Sequence, residues 1–356
     1  MTAERILICM HDFFPGGTER IAIGLAAHWA DAGRDVTILC GTLEGGLRDK
    51  LDGRVRVIAL NPPVARSRFS RLRLGRQMAG QVAALHPHVI FLPGNFHALL
   101  ANPIRRADPN PKIALKISNP PLPEGLAFAH SLFWFLTRGV DGFAAMNRGL
   151  GEQLKAMLSG RNIVVLHDPV FIHPLAPGRR QDGPLNILWI GRFERQKDPG
   201  LAFEVIKIMK EPAHLTMLGD GTLHKELERR VSDQGLQAKI TLAGYAEAIE
   251  PYLAKADALL ITSRYEGGPA VAVEALAQGV PVVGTDCSLL LRDLLTVPQA
   301  GEIVTSRRPA DLASALARLR ALRPAPEKLQ LLAAPFAPKA CAGAYLDWFD
   351  ALVRHG

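Results

Sequence analysis

Two basic side chains five positions apart, Arg192 and Lys197, follow the apolar run NILWIG and precede a helical pattern. An arginine presents a planar fork matched to phosphate oxygens and a lysine adds a mobile point charge, so the pair can neutralise a diphosphate as it departs. Taken alone, the same segment, with Arg195 between them, would serve equally as a solvated basic loop. Further along, ITSRYEGGPAVAVEALAQGVPVVGTD places Glu266 and Glu274 eight positions apart. Gly267, Gly268 and Pro269 lie between them, a helix is expected from about 270 to 278, and Gly279 stops it. Glu266 then stands in the loop at the helix mouth and Glu274 about one turn inside. The positive end of the helix faces an anion such as phosphate, and Glu274 is placed to accept hydrogen bonds from ribose hydroxyls. Its neighbours Val271, Val273, Ala275 and Leu276 are apolar, so a carboxylate among them needs a partner.

Two glycine turns extend this chemistry. The run RILICM leads into HDFFPGG, where Gly16 and Gly17 let the backbone approach a ligand at the start of the next helix. TMLGDGTLHKELER reads as strand, turn and helix, with Gly219 and Gly221 permitting the same approach; ordinary turn chemistry explains Asp220 as well. Neither the dinucleotide fingerprint G-x-G-x-x-G nor the phosphate-loop pattern G-x-x-x-x-G-K-[ST] occurs, which leaves a nicotinamide dehydrogenase poorly supported.

The elements that must position these residues alternate between short apolar runs and longer helical stretches, the pattern of parallel sheets with crossover helices. Strands are expected over 5–10, 35–40, 55–60, 88–92, 112–117, 142–145 and 162–166, with helices such as 18–32 and 71–85. The pattern restarts at 185–190 and continues with strands over 214–218, 240–243, 258–261 and 280–284. Between the halves, DPVFIHPLAPGRRQDGP has the prolines and glycines of a linker. A second Pro-rich stretch, 323–338, precedes the aromatic tail YLDWFDALV. The fold class expected is α/β: two Rossmann-like doubly wound domains facing across a cleft, where the carboxyl ends of both sheets bind ligands.

With 356 residues, 48% apolar and 21% charged, the chain is long enough for two globular domains and excludes disordered or fibrous readings. Four scattered cysteines form no C-x-x-C pair, against a zinc ribbon or redox dithiol. No apolar stretch approaches the ~20 residues of a membrane span, and the first residues lack the pattern of a signal peptide. A cytoplasmic protein is expected, at most peripheral to the inner face of the membrane. The formal charge of +8 divides as +7 over residues 1–168 and +1 over 169–356. From 53 to 107 there are nine arginines and no carboxylate. Within this stretch Arg66, Arg68, Arg71, Arg73 and Arg76 interleave with Phe69, Leu72 and Leu74, a pattern that suits either an anionic lipid surface or the edge of an acceptor site. Nucleic acid is disfavoured, because aromatics are few and no recognition module is present.

Taken in order, PGGTER, GRFERQK, LGDGTLHKEL, TLAGYAEAIEPYLAKADALLITS and E-x7-E followed by ALAQGVPVV resemble the retaining family 4 glycosyltransferases of the GT-B fold over nearly the whole chain. The resemblance implies an acceptor-binding domain over 1–168, a nucleotide-sugar-binding domain over 169–335 and a helix over about 336–356 that crosses back onto the first. It implies that Arg192 and Lys197 bind the donor diphosphate, Glu266 lies near the donor sugar and Glu274 on the ribose. It further implies that Gly17 sits by phosphate and sugar, that backbone groups around Gly268, Pro269, Ala270 and Val271 cap the phosphates, and that the base packs near Tyr245. Where many members carry a histidine after the fifth strand, this chain reads KISNPP, so Ser118 or Asn119 takes that place, and an amide can hydrogen-bond a sugar.

The implied reaction moves a sugar, with retention, from a nucleotide sugar, expected to be a UDP-sugar, to a glycan or lipid-diphosphate-linked acceptor. No D-x-D occurs, so metal-independent transfer is expected, with basic side chains and a helix terminus carrying the charge. Another sugar-nucleotide enzyme, an epimerase or phosphorylase, and a silent nucleotide-sugar binding protein stay open as alternatives.

Overall fold

The computed structural model describes residues 1–67, 70–119, 129–170, 183–322 and 325–354. They form two compact units, Met1–Pro169 with Pro338–Gly356, and Val170–Ala337.

In the first unit the order is β1 (Arg5–Met10), α1 (Gly17–Asp31), β2 (Asp35–Cys40), β3 (Arg56–Ala59), α2 (Ser70–Leu85), β4 (Val89–Leu92), α3 (Ala98–Ala107), β5 (Lys112–Ile117), α4 (Ala129–Leu136), β6 (Gly142–Ala145), α5 (Arg148–Met157) and β7 (Asn162–Val165). The seven strands form one parallel sheet in the order β3-β2-β1-β4-β5-β6-β7. Alternate residues feed opposite faces: Ile6, Ile8 and Met10 pack on the side of α1, Leu7 and Cys9 on the side of α2 and α3. Both faces are covered, which is why the strands read as continuous apolar runs. The order reverses between β1 and β4, so the loops after these two strands splay apart and leave room for a ligand.

The second unit contains β8 (Leu185–Ile190), α6 (Pro199–Ile208), β9 (Ala213–Leu218), α7 (His224–Asp233), β10 (Ile240–Gly244), α8 (Glu250–Leu253), β11 (Ala258–Ile261), α9 (Ala270–Ala277), β12 (Val282–Thr285), α10 (Leu289–Leu294), β13 (Gly301–Val304), α11 (Pro309–Leu322) and α12 (Pro326–Ala333). Its six-stranded sheet runs β10-β9-β8-β11-β12-β13, reversing between β8 and β11. The sheet has a strand that the sequence pattern does not announce, β13. The strand expected over 280–284 starts instead at Val282. Pro281 has no N–H to donate and contributes only its carbonyl, which accepts from the Leu259 N–H at 2.9 Å. The second Pro-rich stretch contains a helix that its prolines do not announce, α12, because Pro326 occupies the first helical turn, where its missing N–H costs nothing.

The last helix, α13 (Pro338–Arg354), packs on α1 in the first unit. Trp29, Phe91, Tyr345 and Phe349 form an aromatic cluster with ring centroids 5.2 to 6.0 Å apart. The Trp29 Nε1–H donates to the Ala342 carbonyl at 3.1 Å and the Trp348 Nε1–H to Asn162 Oδ1 at 3.1 Å. Truncating one such ring to alanine costs about 3–5 kcal/mol, so the tail is a structural part of this unit.

Candidate functional site

The second unit gathers its candidate residues where the strand order reverses. β8 delivers Gly191, Arg192 and Lys197; its neighbour β11 delivers Ser263 and Glu266. Across the gap the Lys197 ammonium forms an ion pair with Glu266 Oε1, which also accepts from the Ser263 hydroxyl at 2.6 Å. Both side chains are largely shielded, 19% exposed for Lys197 and 10% for Glu266. Arg192 is exposed; its Nη2 reaches Gln196 Oε1 at 3.5 Å, and Gln196 Nε2 donates to the Tyr265 carbonyl at 3.1 Å. The two loops are thus tied together by their own side chains.

Several tethers in this network connect residues far apart in sequence. Trp189 Nε1 donates to Thr262 Oγ1 at 2.9 Å, and that hydroxyl donates to the carbonyls of Lys197 and Asp198. Arg307 donates to the carbonyls of Thr262 and Ser263 and to Asp198 Oδ2 at 2.7 Å. Asp198 is in the left-handed region, with φ of 48°, a conformation that costs a non-glycine residue about 1 kcal/mol or more. The Arg307 and Thr262 bonds hold the chain there, and so aim Lys197.

α9 begins after Gly267, Gly268 and Pro269. Pro269 is extended at the cap and offers no side-chain cap, so the first-turn N–H groups of Ala270 and Val271 lack intrahelical acceptors. These donors and the helix dipole favour an anion. Glu274, one turn further, is half-buried. It takes no hydrogen bond or ion pair from the described residues, and burial with the nearby Glu250 carboxylate raises it to about 7. A half-buried carboxylate with no donor among the described residues is open to hydroxyls that arrive with a ligand.

Gly219 has φ of +133°, and a Cβ there would collide with the Gly191 carbonyl oxygen. Gly221, at +159°, is pressed against the Phe193 backbone in the same way. These glycines lock the loops after β8 and β9 together, aided by the Phe193 N–H donating to the Asp220 carbonyl at 2.9 Å. Hydrogen bonds from the Gly221 N–H and His224 hold the Asp220 carboxyl below its ordinary range. Tyr245, after Gly244, is 81% exposed.

In the first unit Gly16 is extended and Gly17 opens α1. A side chain on Gly16 would strike the Glu19 carboxylate. Arg66, expected as part of a free basic patch, is instead bound by Asp12 through two contacts and by Glu19 Oε1 at 2.7 Å. Arg71 lies over the Phe96 ring at 4.4 Å, Arg73 and Arg76 are exposed, and Arg68 falls outside the described residues. After β5 the fully buried Lys116 donates to Ser118 Oγ at 2.9 Å and pairs with Asp168. That occupies Ser118 and leaves Asn119, which is exposed, as the side chain available at this position. All four cysteines are buried, and no disulfide joins them. No helix among the described residues is long and apolar enough to cross a membrane.

Residues 16–169 match the family described as glycosyl transferase 4-like domain, and residues 184–321 match glycosyl transferases group 1. Over 173 residues the chain is 28% identical to the lipopolysaccharide 1,6-galactosyltransferase of Salmonella typhimurium, covering 46% of this chain and 48% of that protein. The chain spans less than half the length of the curated relatives first matched, from 48% down to 19%. Among solved structures, the apo form of the lipopolysaccharide outer core galactosyltransferase WaaB superposes with a TM-score of 0.78 at 19% identity, covering 96% of this chain and 98% of that one. HepE of Anabaena in complex with UDP superposes at 0.71 with 16% identity, over 98% and 96% of the two chains. At these identities the structural likeness concerns the fold.

Proposed function

The chain belongs to the family 4-like glycosyltransferases of the GT-B fold, and from that premise we propose that it transfers a sugar from a UDP-sugar to a glycan or lipid-linked glycan in cell-surface polysaccharide or glycolipid synthesis. One observation carries this reading. At the reversal point of the second sheet, the paired Lys197 and Glu266 belong to a loop network that includes Arg192, in front of a helix whose first N–H groups are unfilled. That is a seat for a diphosphate, and the unpartnered Glu274 one turn along α9 is the group for the ribose hydroxyls.

In the reaction, the acceptor oxygen bonds to the anomeric carbon on the face from which the nucleoside diphosphate leaves. The anomeric carbon–oxygen bond to phosphate breaks, and the acceptor proton passes to the departing phosphate oxygen, so configuration is retained. Arg192, Lys197 and the start of α9 stabilise the charge that develops on the leaving group; fixed donors of this kind contribute about 10²–10³ in rate each. This positive set is the basis for proposing metal-independent transfer. Glu266 faces the sugar, and the base packs beside Tyr245.

A lipid-linked acceptor would bring the enzyme to an anionic membrane surface at the inner face of the cytoplasmic membrane. In support, Leu132, Trp134 and Phe135 of α4 are each about half exposed, and Arg138 lies over the Phe135 ring at 4.7 Å. Exposed aromatics beside arginines suit a lipid interface.

Thermal-shift titration with UDP, GDP and ADP and their sugar conjugates tests the donor reading. UDP compounds are expected to stabilise the protein, and Arg192→Ala and Glu274→Ala to abolish the shift; an unchanged response in both variants would refute the assigned seat. Donor turnover without acceptor, or dependence on free phosphate, would instead mark an epimerase or phosphorylase.

A further inference from the structure

The second unit has a hollow of about 520 Å³ toward the end of its sheet that lies away from the donor seat. Asn186 and Leu188 of β8 and Thr216 of β9 line it from the sheet, Tyr252, Lys255 and Ala256 from α8 and the turn after it. Asn186 comes five residues before Gly191, so at ~3.3 Å per residue it is about 16 Å from the strand end that delivers Arg192. The hollow is therefore separate from the diphosphate chemistry.

The fold accounts for the opening. On one face of the sheet Ile187, Trp189, Leu215 and Met217 are buried in a core that includes the ten-residue α6. On the other, the connection from β10 to β11 contains only the four residues of α8, which span about 6 Å against the ~20 Å of a six-residue strand. The register pairs Leu188 with Thr216 and Thr216 with Thr241, so hydroxyls on β9 and β10 follow an apolar side chain on β8. Inner strands of a parallel sheet are ordinarily apolar on both faces; the amide of Asn186 and the hydroxyl of Thr216 depart from that rule where the hollow lies. Asp257 clamps Asn186 from both sides: its carboxylate accepts from the Asn186 N–H and its own N–H donates to the Asn186 carbonyl, each at 2.8 Å. The side-chain amide is thus held in place, yet it, the Thr216 hydroxyl and the Tyr252 hydroxyl form no hydrogen bond with the described residues.

We propose that this hollow on the second unit binds an uncharged sugar residue, with the sugar ring against Tyr252 and its hydroxyls on Asn186 and Thr216. An amide donates and accepts at once, as neighbouring sugar hydroxyls do, and the Thr216 hydroxyl does the same. Tyr252 adds an apolar ring face with a polar tip. The Lys255 ammonium and the Asp257 carboxylate bring one charge of each sign, so neither an anion nor a cation is favoured. The volume falls in the small-molecule range, and the exposed Lys255 marks a mouth through which the rest of a glycan can leave. That the sugar belongs to a glycan under construction rests on the transferase reading above; the chemistry of the hollow stands apart from it.

Proton–nitrogen correlation NMR on the full chain, titrated with methyl glucoside, methyl galactoside and lactose, tests this directly. The backbone amides of Asn186 and Thr216 and the Asn186 side-chain amide are expected to shift with at least one of these sugars, and to shift equally when UDP is present at saturation. Thr216→Val and Asn186→Ala should each weaken that binding at least tenfold while retaining the UDP-induced thermal shift and the parent near-UV circular dichroism. Thr216→Val keeps a β-branched side chain in the strand, so it removes the hydroxyl without threatening the fold. Absence of shifts at these amides, shifts indifferent to both substitutions, or their loss on adding UDP would overturn the proposal. Tighter binding of lactose than of either hexoside would assign the occupant to a glycan, and equal binding to a free sugar. Failure of UDP to bind the parent would strike the donor reading, and the Asn186 and Thr216 shifts would still decide the hollow.

Discussion

Lys197 and Glu266 meet as an ion pair although 69 residues separate them, because the strands that carry them, β8 and β11, lie side by side where the second sheet reverses its order. Each holds the other in place while no diphosphate is bound. Their effects on catalysis should therefore be coupled. Lys197→Ala and Glu266→Ala are each expected to lower the transfer rate by about 10²–10³-fold, and the double variant to lose less than the product of the two. Steady-state kinetics of the four proteins measure this; multiplicative losses would mean that the pair does not act as a unit.

Glu274 gives a stability signature that runs opposite to most carboxylates. Its folded value of about 7 lies above the ~4.3 of an unfolded chain. Between those values the folded state binds the proton more tightly, so the stabilisation is full below pH ~4 and is lost as pH rises through 7. Glu274→Gln removes that loss. Denaturant titration at pH 8 is expected to show the ligand-free variant more stable than the parent by about 1–3 kcal/mol, with little difference at pH 4. Ribose hydroxyls donate best to the ionised form, so UDP affinity of the parent should rise from pH 6 to pH 8 and that of the variant should not. A variant less stable than the parent at pH 8 would show that Glu274 has a partner in the protein.

Gly219 tests how the donor seat is held. Its φ of +133° and the Gly191 carbonyl oxygen pressed against it leave no room for a side chain. Gly219→Ala must either distort the loop after β9 or push the loop after β8, at a cost of about 2–4 kcal/mol. The expected outcome is a lower melting temperature together with weaker UDP binding. A variant that melts with the parent and binds UDP normally would show that the two loops are not locked here.

What the sequence makes legible is local. The run from Ile261 to Gly279 carries its strand end, turn, helix start and stop within a few residues, and the structure places α9 at Ala270–Ala277 accordingly. The strand starts at Arg5, Asp35, Lys112, Leu185 and Ala258 read true for the same reason: each is an apolar run buried on both faces. β13 is hidden because GEIV is short, half-exposed and interrupted by Glu302. Arg307, Thr262 and Trp189 support Lys197 through contacts that span 65 to 109 residues, and no spacing rule reaches that far. Arg66 reads as free charge in its own segment, while its counter-ions, Asp12 and Glu19, arrive from another part of the chain.

The membrane reading turns on α4 more than on the arginine run. With Arg66 neutralised by two carboxylates, the exposed apolar side chains best suited to a bilayer interface are Leu132, Trp134 and Phe135, next to Arg138. Each large side chain moved from water into the interface adds of order 1–2 kcal/mol, and the arginines respond to anionic headgroups at about 1 kcal/mol each. Sedimentation with vesicles of phosphatidylglycerol and phosphatidylcholine should therefore carry down the parent at low salt, with less binding to neutral vesicles. Trp134→Ser with Phe135→Ser should weaken binding at least tenfold, whereas Arg73→Gln with Arg76→Gln should weaken it less and chiefly reduce its salt dependence. Equal losses from the two pairs, or undiminished binding by the aromatic pair, would move the contact away from α4.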